Sequence, residues 1–103
     1  MGEKQRDYLE EFKKKAGFRE DFDFEHRFHL IDIIGGYRIS TVDIGVDMSF
    51  GSGKPIYYET MIFNDKNDTT IGYMERYSTE KQARLGHQEA IQYVKEVMIK
   101  EGK

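Results

Sequence analysis

From Tyr37 to His87 the hydrophobic and polar positions follow strand-like and then helix-like periods without a break. Val42, Ile44, Val46, Met48 and Phe50 fall on one side of an extended chain, and Ile39, Thr41, Asp43, Gly45 and Asp47 on the other. That two-residue period is the mark of a strand with one buried and one wet face. The strand is expected to run from Tyr37 towards Phe50, and Gly51-Ser52-Gly53-Lys54-Pro55 supplies turn chemistry after it. Residues 56–63 read as the next strand, residues 64–68 as a polar turn and residues 71–77 as a further strand. Before them, residues 28–34 read as a strand closed by Gly35-Gly36.

Thr79 and Gln82 then stand at the spacing of a capping box, with Glu80 adding a favourable charge in the first turn. The helix predicted over residues 79–100 carries an apolar stripe of Ala83, His87, Ala90, Val94, Val97 and Met98. Ala83, Gly86 and Ala90 are small, so its first half should approach the sheet closely. Gly86 inside a helix costs ~1 kcal/mol against Ala, and a tight contact would explain it. At the other end of the chain, Tyr8, Leu9, Phe12 and Ala16 share a helical face over residues 3–16, with Gly17 as a stop. Between the two, Asp21-Phe22-Asp23-Phe24-Glu25 alternates acidic and aromatic residues, as an edge strand or a recognition segment would.

These elements predict an α+β domain spanning residues 1–103. An antiparallel sheet of three to five strands over residues 28–77 packs one face on the long C-terminal helix. An amphipathic helix or arm over residues 1–17 covers an edge or the second face.

The 103 residues suit one core. Hydrophobic residues are 38% of the chain, and seven Tyr and seven Phe compensate for that modest share. A net charge of -3 gives no bulk attraction for a nucleic-acid backbone, so nucleic acid is not an expected partner. The absence of cysteine removes disulfides and thiolate metal sites. No apolar run approaches the ~20 residues needed to span a bilayer, and a cytoplasmic protein without a membrane partner is expected.

Three sets of residues could carry function. Asp47, Glu59, Glu75 and His87 would bind a divalent cation or do acid/base work if they converged; otherwise they are solvent-facing carboxylates and a packed histidine. Arg38, Tyr58, Arg76 and Tyr77, with Tyr57 and Tyr73, could stack a nucleotide or another small ligand, or form ordinary cross-strand pairs. Tyr8, Phe12, Phe22 and Phe24 could dock on a partner protein. Neither a nucleophile elbow nor a metal motif is present, so no cofactor is expected and a non-catalytic role is favoured over an enzyme.

The stretch from residue 37 to residue 87 resembles a family of small uncharacterised phage and prophage proteins. The matching positions are Ser40-Thr41-Val42, Gly45 and Asp47, Gly51 and Gly53, Tyr58-Glu59-Thr60-Met61 and Phe63. They continue through Glu75-Arg76-Tyr77-Ser78-Thr79, Ala83 and Gly86-His87. Asp43 and Met48 depart from the pattern, Met48 standing where a histidine often follows the aspartate. The resemblance implies a phage-type interaction protein acting on a host bacterial protein, inhibition of a host defence protein being one version. A binder of a small ligand such as a nucleotide signal and a metal-assisted enzyme are the alternatives. Self-association is compatible with each.

Overall fold

The computed structural model describes residues 11, 12 and 14–102. The N-terminal helix expected over residues 3–16, with Tyr8, therefore lies largely outside the described residues. The remainder is a meander of β1 (His29–Ile34), β2 (Tyr37–Asp43), β3 (Tyr58–Asn64) and β4 (Thr70–Tyr77), followed by α1 (Glu80–Lys100). Strands lie in the order β1-β2-β3-β4, every neighbouring pair antiparallel.

Local chemistry sets each connection. Gly35 and Gly36 both adopt positive φ, which matches the twist of a two-residue hairpin. Between β3 and β4, Asn64 Oδ1 accepts from Lys66 N, Asn67 Oδ1 accepts from Thr69 N, and Asp68 takes φ 59°. Thr79 Oγ1 accepts from Gln82 N at 3.1 Å, and Gln82 Oε1 accepts from Thr79 N at 3.2 Å, which completes the capping box of α1. Thr79→Ala should therefore lower stability by about 1 kcal/mol in denaturant unfolding, since a first-turn N–H loses its acceptor.

Register decides which side is buried. Ile39 pairs with Ile62 and Thr41 with Thr60, so these four share a face, and α1 lies over it. Ile39, Ile62, Ala90 and Val94 form the buried centre, ringed by Ile34, Tyr37, Ile71, Tyr73, Ile91 and Met98. One expectation for this region differs from the structure. The strand begun at Tyr37 ends at Asp43 instead of continuing to Phe50, because Asp43 accepts the N–H of Gly45, which turns at φ 81°. Its buried side is the mixed one, Ile39, Thr41 and Asp43, while Val42 lies on the opposite face.

The acidic-aromatic segment forms no strand. Phe22 is instead fully buried, in a cluster with Phe18 and Phe24. A Cβ on Gly45 would meet the Phe22 ring at 2.6 Å, so glycine there admits the ring. Arg19 fastens the segment by giving Nη1 and Nη2 to the two oxygens of Asp43, which is nearly buried, and its guanidinium lies 4.7 Å from the Tyr57 ring centroid.

Candidate functional site

Three places in the molecule hold features that packing alone does not require. The first is the loop from residue 44 to residue 57. Asp47 Oδ1 accepts from both Ser49 N and Ile56 N, at 2.8 and 2.9 Å. Ser52 gives both its N–H and its hydroxyl to the Ser49 carbonyl, and Met48 N donates to the Ile56 carbonyl. These bonds tie the two sides of the loop together. The bonds from Ile56 N and Ser49 also hold the Asp47 carboxyl below its usual range, the N–H of Ile56 being the largest cause. At the tip, Phe50 is 87% exposed and sits at φ 54°. An aromatic residue in left-handed backbone costs on the order of 1 kcal/mol or more, and such strain gathers at functional positions.

The second is the sheet face opposite α1. Alternation and register place His29, Ile31 and Ile33 of β1 there, beside Arg38, Ser40 and Val42 of β2. Glu59, Met61 and Phe63 of β3 follow, then Met74 and Arg76 of β4. Ile31, Ile33 and Met74 are 50%, 59% and 50% exposed.

The third is a buried polar chain under α1. His87 is 1% exposed; its Nδ1 lies 2.6 Å from Thr41 Oγ1 and its Nε2 2.7 Å from Asp32 Oδ2. Thr41 Oγ1 lies in turn 2.6 Å from Thr60 Oγ1. With Nε2–H donating to the carboxylate, the hydroxyls donate in sequence, Thr60 to Thr41 and Thr41 to His87. The acid, imidazole and hydroxyl are arranged as in a catalytic triad. Thr41 and Thr60 are fully buried, however, so a substrate carbonyl has no access to either oxygen. The chain satisfies polar groups that the helix would otherwise strand.

The residues singled out in the sequence are distributed among these places. Asp47 braces the loop, Glu59 accepts from Arg76 on the open face at 3.0 Å, Glu75 is exposed on β4, and His87 is buried. They do not converge, and among the described residues no group of His, Asp and Glu is placed to hold a metal ion. Arg38 and Arg76 lie on the open face while Tyr58 and Tyr77 point to the helix side. Arg38 is bonded to Asp65 and Asp68 and stacks on Phe63 at 4.9 Å. Arg76 and Tyr77 still meet at one shallow pocket of about 400 Å³, with Ile56, Gln82, Leu85 and Glu89. Phe12 and Phe24 are 47% and 41% exposed at the aromatic cluster.

Sequence reasoning did not single out Asp32, Arg19 or Phe50 for these roles. Phe50 carried a legible signal, a bulky aromatic followed by Gly-Ser-Gly, but the two-residue period placed it in a strand. No described helix is long and apolar enough to cross a membrane. Compared with protein-family models, curated proteins and solved structures, the chain matches none.

Proposed function

We propose that this chain is a non-catalytic interaction protein of phage or prophage type. It acts in the host cytoplasm by binding a host protein, with Phe50 as the anchor. Phe50 itself carries the reading: an aromatic side chain held almost wholly in solvent, on strained backbone, by a braced loop. Aromatic anchors dominate binding energy when they enter a pocket, and a fixed loop loses little freedom on docking. Phe12 and Phe24 add exposed aromatic surface elsewhere on the chain. The phage and host parts of the proposal rest on the resemblance over residues 37–87.

Replacement of Phe50 by glycine separates binding from folding. Glycine accepts φ 54° without steric strain, so Phe50→Gly should be as stable as the parent or more stable by up to about 1 kcal/mol. The same variant should lose capture of the proteins that the parent recovers from a bacterial host lysate, as read by mass spectrometry. Recovery of the same set by both would sink the proposal.

One observation favours a second reading, the binding of a small ligand such as a nucleotide: the pocket where Arg76 and Tyr77 meet. Saturable nucleotide binding in calorimetry, lost in Arg76→Ala and kept in Phe50→Gly, would support it over the first.

A further inference from the structure

The open sheet face is separate from the Phe50 loop and has a pattern of its own. Its middle row runs across all four strands as Ile31, Ser40, Met61 and Met74, with no charged residue. The single hydroxyl in that row is already partnered, Ser40 Oγ lying 3.1 Å from His29 Nε2. Charges flank the row and are neutralised within the chain: Arg38 by Asp65 and Asp68, Arg76 by Glu59. Burial and the neighbouring Arg27 lower the His29 pKa, which favours its neutral form. A face that is apolar at its centre and balanced at its margins offers no net field to select an acidic or a basic partner.

We infer that the occupant of this face is a second copy of the same chain, the two sheets stacking into a four-layer α-β-β-α dimer. A two-fold axis parallel to the strands keeps the rows in register and lays β1 of one copy over β4 of the other. Ile31 then meets Met74 of the second copy, Ser40 meets Met61, and Arg38 lies over Phe63, so the middle row stacks entirely on uncharged side chains. At one margin the same axis sets Val42 over Glu59 and neutral His29 over Arg76; rotation about an axis across the strands would instead bring Phe63 onto Glu59 and Val42 onto Arg38. Aligned sheets pack in this way about 10 Å apart. At strand spacings of ~4.8 Å and a rise of ~3.3 Å per residue the face measures roughly 19 by 23 Å. The pair thus covers on the order of 900 Å² in projection, below the ~1,200 Å² of stable specific interfaces and in the range of weak, transient ones. The dimer is accordingly concentration-dependent.

Sedimentation of the full chain from low to high micromolar concentration tests this, with circular dichroism to verify folding. The parent should pass from monomer to dimer. Ile31→Glu and Met74→Lys, each on an exposed position, should each weaken association at least about tenfold, because an unpaired charge would be buried between the sheets. Leu85→Glu, on an exposed position of α1, and Phe50→Gly should dimerise like the parent. An equimolar mixture of Ile31→Glu and Met74→Lys should regain association, since the new charges then face each other. A parent that stays monomeric overturns the inference, as does a dimer indifferent to both charged variants. Dimerisation that appears only after removal of residues 1–10 overturns it too, by showing that the chain covers its own face. A mixture that does not reassociate overturns the pairing of β1 with β4. None of these results bears on capture through Phe50, so the two proposals fail independently.

Discussion

Gly86→Leu should lower stability by about 3 kcal/mol or more, and Gly86→Ala by a smaller amount of the same sign. Helix propensity alone predicts the opposite, since either residue gains about 1 kcal/mol over glycine inside a helix. The contact with Tyr77 reverses it. A Cβ built on Gly86 would overlap the ring and hydroxyl of Tyr77, and Gly86 itself is buried. The backbone of Tyr77 is fixed, since it pairs with Tyr58 across the sheet and its carbonyl accepts from Tyr57 N, so only the ring can yield. Burial raises its pKa, as expected of a phenol pressed under a helix. A larger residue at position 86 must therefore lift α1 from β4 or eject the ring. Denaturant unfolding of the three proteins gives the order directly, and equal stability of Gly86→Leu and the parent would place Gly86 away from the sheet.

His87→Ala should cost about 3 kcal/mol, again read by denaturant unfolding, from two sources. One is the cavity left by a fully buried ring under α1. The other is the interruption of the polar chain, because Thr41 loses the acceptor on Nδ1 while remaining sealed from water. Asp32 loses its bond as well, but it is half exposed and can turn to solvent. His87→Gln keeps most of the volume and can hold one of the two partners, so about half of the loss should return. Neither variant should weaken partner capture while it is folded, since His87 does not reach the Phe50 loop or the open face. A folded His87→Gln protein that fails to bind would assign the imidazole a direct role.

Much of the architecture follows from short-range signals in the sequence. Gly35-Gly36 marks a hairpin because two positive φ angles in succession suit glycine, and Thr79 with Gln82 marks the start of α1 because the box is closed within four residues. The close approach of α1 was legible for the same reason: Ala83, Gly86 and Ala90 recur at helical spacing and all three are buried. Such signals act between neighbours and carry their own geometry.

What tertiary structure alone decided depends on register and on contacts between distant residues. A strand's period shows that two faces exist, but not which one the helix will cover. In β2 the helix covers the face bearing Ile39 and Thr41, where Ala90 and Val94 close on Ile39 and Ile62 and His87 bonds Thr41. The side bearing Arg38, Ser40 and Val42 faces away from α1, and with it Ile31, Met61 and Met74. Asp32 meets His87 from 55 residues away, and Arg19 meets Asp43 from 24. Nothing in the local pattern around either carboxylate names its partner, since the encounter exists only once the sheet and helix have packed. The end of β2 at Asp43 is by contrast a local event, a side chain accepting the backbone N–H two residues on at Gly45. Periodicity thus determined the elements, and packing between distant residues determined which face of the sheet α1 covers.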